Sequence, residues 1–279
     1  MSSVLVTGAS RGIGRATALR LAEAGWDVAA GVRRTEDGEA LARAQPGRIS
    51  PVILDITDEE QIASLEHALP ERLDAVVNNA GVAVAGPLEA VPPAELRHQL
   101  EINVVGQAAV TQAVLPRLRE SRGRIVFVSS VSGRVATPMF APYNASKFAL
   151  EGMADAMRME LAPWGIRVVL IEPAQTDTDL WRKAEETFDE TVAAMAPHYR
   201  ELYAKHLDGA RKSIPRAARM AAPVDGVAKA IEKALTTGRP RARYVVGANA
   251  RAQAILAALT PTAVLDRVLG IGFGVPRRV

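Results

Sequence analysis

An alternation of short apolar runs with stretches of helical spacing constrains this chain more than any other feature. The runs are Val4–Thr7, Val28–Val32, Ile49–Leu54, Ala75–Asn78, Arg124–Val128 and Ile166–Ile171, with Tyr244–Val246 as a seventh. Between them, residues 12–24, 36–45, 58–69, 92–118 and 142–162 carry helical patterns. Strands alternating with helices specify a parallel sheet covered on both faces. The runs are continuous rather than alternating, as strands buried on both sides should be. The expectation is an α/β fold with a doubly wound parallel sheet of about seven strands. Boundary signals agree with it. Gly25 suits the position after a helix end, Asp58 suits an N-cap, and Pro92-Pro93 and Pro142 suit first helical turns. A chain of 279 residues without an internal repeat is expected to form a single domain, residues 1–279.

Two segments stand apart from the alternation. Residues 179–222 are polar, helical in places and rich in Glu, Arg and Lys, and are expected to lie over the carboxyl edge of the sheet as a lid. Their Leu180, Trp181, Phe188, Met195, Tyr199, Leu202 and Tyr203 are either packing within the lid or contacts to a ligand. Residues 249–279 form an apolar tail that packs on its own domain, on a partner subunit or on a membrane surface. Its run Ala254–Leu265 is interrupted by Asp266-Arg267 and falls short of the ~20 residues that a spanning helix needs.

Composition removes several classes of function. There is no cysteine, so disulfides, zinc thiolates and a thiol nucleophile are excluded, and a cytoplasmic location is expected. The net charge is +3 with only 4% aromatic residues, and the basic residues are spread along the chain, so no nucleic-acid partner is expected. No basic segment precedes the first strand, so no signal peptide is expected. His67, His98, His198 and His206 lack metal-ligand spacing, and no metal site is expected. A homodimer or homotetramer is the expected assembly.

The first chemistry-bearing motif is Thr7-Gly8-Ala9-Ser10-Arg11-Gly12-Ile13-Gly14, between the first strand and the first helix. Gly8 permits a tight turn, Gly12 lets backbone approach a pyrophosphate, and Gly14 lets helix pack on strand. The helix then offers free N–H groups and its positive dipole end to phosphate oxygens. Three glycines alone also fit a plain turn; the strand-before, helix-after setting favours phosphate binding. An NAD site carries an acid at the end of the second strand. Here that strand ends Val32-Arg33-Arg34. Arg33, Arg34 and Arg11 can surround a 2′-phosphate with bidentate geometry, so NADP(H) is expected in preference to NAD(H).

Tyr143 and Lys147 are four residues apart in a helical stretch and share a face. A phenol titrates near 10, too high for a base at neutral pH. The Lys147 ammonium and the helix N-terminus are expected to pull Tyr143 down. A drop of about three units would need roughly 4 kcal/mol of differential stabilisation, shared by the lysine, the helix dipole and a bound cationic nicotinamide. Ser130, with Ser129, ends the fifth strand at the carboxyl edge, where open α/β sheets bind ligands. It can hold a substrate oxygen, or it can be a cap. Asn79, Ala80 and Gly81 follow the fourth strand and can brace the sheet edge. Asn103 falls in mid-helix, where asparagine is unfavourable; a backbone irregularity, a water site and an ordinary exposed asparagine all fit.

Thr7–Gly14, Asn78–Gly81, Asn103, Ser130 and Tyr143-Asn144-Ala145-Ser146-Lys147, in this order over residues 3–178, resemble the short-chain dehydrogenase/reductase family. The resemblance implies a Rossmann-like sheet, hydride transfer at nicotinamide C4, and catalytic roles for Asn103, Ser130, Tyr143 and Lys147. In it Ser130 orients the substrate oxygen, Tyr143 is the acid/base, Lys147 holds the nicotinamide ribose, and Asn103 holds a relay water. It also implies cofactor contacts from Gly8, Ser10, Arg11, Gly12, Ile13, Gly14, Asp55, Ile56, Pro173, Thr176 and Thr178. Ala174 departs from the Pro-Gly that the family carries after the sixth strand. The tail is similar to those of the retinol- and hydroxysteroid-dehydrogenase branch, which implies a lipophilic ketone or secondary alcohol as the small-molecule substrate. A non-catalytic NADP(H)-sensing protein of the same fold is the alternative; intact Ser130, Tyr143 and Lys147 argue against it.

Overall fold

The computed structural model describes residues 2–178 and 184–276. Seven strands form one parallel sheet: β1 (Ser3–Val6), β2 (Asp27–Val32), β3 (Ile49–Ile53), β4 (Ala75–Asn78), β5 (Arg124–Val128), β6 (Arg167–Pro173) and β7 (Arg243–Val246). Their order is β3-β2-β1-β4-β5-β6-β7. The chain steps outward from β1 to β3, then returns to place β4 on the other side of β1. That return is the switch point where open sheets leave a crevice at the strands' carboxyl ends. β1 and β4 are buried throughout, as the apolar runs require. Pro51, which cannot donate to a ladder, lies in the edge strand β3.

Helices cover both faces. On one lie α1 (Gly12–Glu23), α2 (Thr35–Ala44) and α10 (Val224–Thr236), whose Leu21, Leu41 and Ile231 join Val4, Val6 and Val28 in one apolar cluster. On the other lie α3 (Glu59–Ala68), α5 (Gln107–Ser121) and α6 (Ala141–Leu161), whose Leu65, Val114 and Leu150 pack on Leu5, Val76 and Phe127. Gly25 takes φ +87 just past α1, and the Asp58 carboxylate accepts from the N–H groups of Glu60 and Gln61. Both local signals thus act as the sequence implies.

The helix anticipated over residues 92–118 is interrupted. α4 (Pro93–Leu100) passes through a π-helical turn, Glu101–Gly106, before α5 begins. The irregularity anticipated from Asn103 is therefore real, and such turns occur frequently at functional sites.

The polar segment is helical: α7 (Ala184–Ala194), α8 (Pro197–Leu202) and α9 (Ala204–Arg219). Leu180 and Trp181 lie outside the described residues. The tail forms α11 (Ala248–Leu259) and α12 (Thr262–Gly272). Ala250 packs with Val131 and Val135, while Ile255, Leu259 and Ile271 are exposed. Among the described residues no helix is long and apolar enough to cross a membrane. The turn after α12 presses on α9: a Cβ on Gly209 would stand 2.4 Å from the Gly274 carbonyl oxygen.

Phe127 is fully buried in the central strand β5. Its replacement by alanine is expected to destabilise the protein by about 3–5 kcal/mol, read from urea unfolding.

Candidate active site

A cleft of about 510 Å³ opens over the carboxyl ends of β1, β2, β4, β5 and β6. The glycine loop forms its floor. Gly8 and Gly12 take φ +63 and +55, which side-chain-bearing residues rarely adopt. A Cβ on Gly14 would stand 2.2 Å from the Gly8 carbonyl oxygen, so that glycine lets α1 close on the loop. Ser10, Arg11 and Ile13 line the cleft beside Gly8 and Gly12.

At the β2 and β3 ends, Arg33, Asp55 and Ile56 line the wall. Arg33 stands 4.0 Å from the Asp55 carboxylate. Burial pushes the Asp55 carboxyl up. The hydrogen bonds from Thr57, followed by the charges of Arg33 and His98, outweigh that and hold it below its ordinary value. Arg34, 75% exposed just before α2, is not among the residues that line the cleft, and its Nε donates to Asp37 at 3.1 Å.

At the switch point the Thr7 hydroxyl oxygen accepts from the N–H groups of Asn79 and Ala80 at 3.0 and 3.1 Å. The Asn79 amide donates to the carbonyls of Thr7 and Gly8 at 3.0 and 3.2 Å. Asn79, Ala80 and Gly81 all line the cleft.

The far end is built by β5, β6 and the first turns of α6. Ser130 follows β5, and its hydroxyl oxygen accepts from the Ser132 N–H at 3.1 Å. Tyr143, half-buried, is hydrogen-bonded to Ser130. Lys147 is buried; its ammonium donates to the Val128 carbonyl at 2.9 Å and lies 5.7 Å from the centre of the Tyr143 ring. Pro173, Thr176 and Thr178 line the opposite wall, and Thr187 of α7 reaches the cleft from the polar segment.

Among the protein's own groups the expected downward pull on Tyr143 is outweighed. Burial pushes the Tyr143 phenol up, and the Ser130 hydrogen bond, which pulls it down, is the smaller effect. The Lys147 ammonium is itself weakened by burial, to about 8, with Glu151 opposing the shift. Helical spacing brings the lysine near the phenol, but desolvation governs both groups. Around neutral pH the phenol is therefore a protonated donor.

Asn103 is fully buried and does not line the cleft. Its side-chain oxygen accepts from the Val82 N–H at 2.9 Å, and its amide nitrogen donates to the Val82 carbonyl and the Ser146 hydroxyl, each at 3.0 Å. Two glutamines that sequence reasoning missed extend this grip. Gln99 accepts from the Val84 N–H at 2.6 Å and donates to the Val82 carbonyl at 2.8 Å. Gln107 donates to the Ala80 carbonyl at 2.8 Å. Three buried amides, each four residues from the next across the π-helical turn, thus hold the backbone of residues 80–84 against the cleft. The four-residue spacing of Gln99, Asn103 and Gln107 is the signal that would have found them.

A nicotinamide dinucleotide fits this cleft. The glycine loop clears backbone and N–H groups for a pyrophosphate, arginine stands at the adenosine end, and a hydroxyl donor pair stands at the other. Residues 2–189 match the family model for short chain dehydrogenases. The chain belongs to the short-chain dehydrogenase/reductase family.

Three relatives place this short-chain dehydrogenase more closely. It is 33% identical to an NADPH-dependent 3-dehydrocapnine reductase of Ornithobacterium rhinotracheale, over 96% of each chain. It is 32% identical to retinol dehydrogenase 5 of Mus musculus, over 95% of this chain and 87% of that one. A solved short chain dehydrogenase from Burkholderia cenocepacia J2315, in complex with NADP, superposes with a TM-score of 0.75 at 31% identity, over 96% and 97% of the two chains. The chain thus falls in the retinol- and hydroxysteroid-dehydrogenase-like branch. It is an oxidoreductase that acts on CH–OH groups with a nicotinamide cofactor. Ala174, where the family pattern has glycine, needs no left-handed backbone. It packs toward Val131, Val135 and Ala250 beneath the tail.

Gln99→Ala takes the acceptor from the part-buried Val84 N–H. Loss of such a partner costs about 1–3 kcal/mol. Urea unfolding should show that loss, and hydrogen exchange at the Val84 amide should accelerate; an unchanged rate there would argue against the grip.

Proposed function

We propose that this enzyme is an NADP(H)-dependent reductase of a lipophilic ketone, with the reverse oxidation of the secondary alcohol at the same site. The observation that carries the reading is the Tyr143 phenol, hydrogen-bonded to Ser130 at the cleft wall and kept protonated by burial. Ser130 holds the substrate carbonyl oxygen, and Tyr143 donates the proton that this oxygen takes as the hydride arrives at carbon. Bound NADPH supplies that hydride. Lys147 holds the nicotinamide ribose and presents a positive charge to the phenolate left behind, which lowers the cost of its formation. Asn103, with Gln99 and Gln107, fixes the backbone at residues 80–84, and with it one wall of the nicotinamide pocket. Pro173, Thr176 and Thr178 hold the carboxamide side, and Asp55 and Ile56 hold the adenine side.

The preference for the 2′-phosphate rests on Arg33, Arg11 and Ser10 and on the absence of an acid at the end of β2. Arg33's exposed, long pair with Asp55 is weakly held, so its guanidinium can turn to a phosphate. The relative named NADPH-dependent and the solved structure holding NADP support the same choice. For the substrate, the support is the relatedness to retinol and estradiol dehydrogenases and the apolar helices α11 and α12. Residues 179–222 act as the lid and 249–279 as the tail that closes beside it. Within the lid, Met195 is buried and Phe188 half-buried, so packing accounts for part of the apolar set.

Two measurements test the reading. Tyr143→Phe should lower turnover by about 10²–10⁴-fold, the worth of a general acid, with NADPH binding retained in a fluorescence titration. Activity within a few-fold of wild type would remove Tyr143 from the chemistry. Arg33→Ala should weaken NADPH binding by roughly 10- to 100-fold, as loss of a charged hydrogen bond of about 1.5–3 kcal/mol implies, while leaving NADH nearly unchanged. Equal losses would refute the cofactor preference.

A further inference from the structure

Behind Lys147, away from the cleft, lies a knot of buried charge that the reaction as described does not use. Glu151 stands on α6 one helical turn beyond Lys147, on the same face. Its side chain is only 10% exposed. One carboxylate oxygen accepts from Arg243 Nε at 3.1 Å, and the other has no hydrogen-bond partner among the described residues. Gly133, in the loop that carries Ser130, makes room for it. A Cβ there would stand 2.9 Å from Glu151 Cγ, 3.0 Å from the Lys147 carbonyl oxygen and 3.1 Å from Ser129 Oγ. Glu151 is thus packed under the catalytic loop, not splayed on the helix surface.

The neighbouring elements supply the rest of the charges. Glu172 of β6, fully buried, pairs with Arg134 at 2.8 Å and with Arg243 of β7 at 3.1 Å. Arg243 also pairs with Asp155 at 2.6 Å, and Asp155 pairs with Arg158 on α6. Arg243 is therefore divided among three carboxylates. Lys147 donates to the Val128 carbonyl, a neutral acceptor. A buried ammonium needs an opposite charge nearby to stay charged, and Glu151 is the acid one turn away.

We propose that Glu151 is a positioning residue for the reaction: it is the buried counter-charge that keeps Lys147 an ammonium in the working pH range. The inference rests on the role given to Lys147 above. The charge balance supports it. Burial weakens Lys147 to about 8 and Glu151 opposes that shift, so without Glu151 the ammonium is lost at lower pH. Burial, and next the Glu151 charge, push Glu172 up to about 7.

The chain has six lysines, few enough to follow by NMR of ¹³C-labelled lysine in the ligand-free protein, with Lys147→Met assigning the signal. In wild type the Lys147 step is expected near 8. In Glu151→Gln it should fall by about one pH unit or more, the effect of removing a close opposite charge, and Glu151→Asp should return it toward wild type. The alkaline limb of the kcat profile should move with the NMR step. A Glu151→Gln step that coincides with wild type overturns the proposal. If Glu151→Gln does not fold, ¹³C-labelled glutamate in wild type decides: the Glu151 carboxyl signal should move as Lys147 loses its proton, and a signal that stays flat through that step overturns the proposal equally. Full turnover in Lys147→Met would instead refute the role of Lys147 itself, whatever the NMR shows.

Discussion

The structure depends on how two parallel strands are joined where their ladder ends. β1 and β4 are adjacent in the sheet but far apart in the chain, and helices leave them toward opposite faces. Beyond Val6 and Asn78 the backbone can no longer pair in strand geometry. Thr7 and Asn79 take over, with one hydroxyl receiving two N–H groups and one amide donating to two carbonyls. These bonds hold the glycine loop and the Asn79–Gly81 segment at fixed separation, so the crevice has a floor before any ligand arrives. A Cβ on Gly8 would stand 2.9 Å from the Ala80 Cα, which shows how closely the two segments are drawn together.

From that junction the site spreads in two directions with different physics. Toward the β2 and β3 ends it is open and ionic, and its arginines are largely solvated. Toward α6 it is buried, and desolvation sets the protonation of every group. The phenol is held neutral and the lysine is weakened. The same burial makes charges behind the site matter, because water does not screen them.

Much of this was legible in the sequence. The seven strands and their order along the chain follow from periodicity, and Asn103 advertised its irregularity because an asparagine in mid-helix wants a reason. Gln99 and Gln107 gave notice only through their four-residue spacing from Asn103. Glutamine is at home on a solvated helix face, and only the fold shows both to be fully buried. Spacing likewise could not give the sign of the shift at Tyr143, because it conveys proximity and says nothing of lost water. Glu151, four residues past Lys147, looks in sequence like half of an exposed helical ion pair; its burial depends on Gly133, which lies far from it along the chain.

The contact between Gly209 and Gly274 joins two parts of the chain that lie far apart in sequence. With backbone against backbone, any side chain larger than hydrogen at either position forces α9 and the terminal turn apart. α9 and the terminal turn must therefore change together. A chimaera that borrows one from a relative would have to borrow the other.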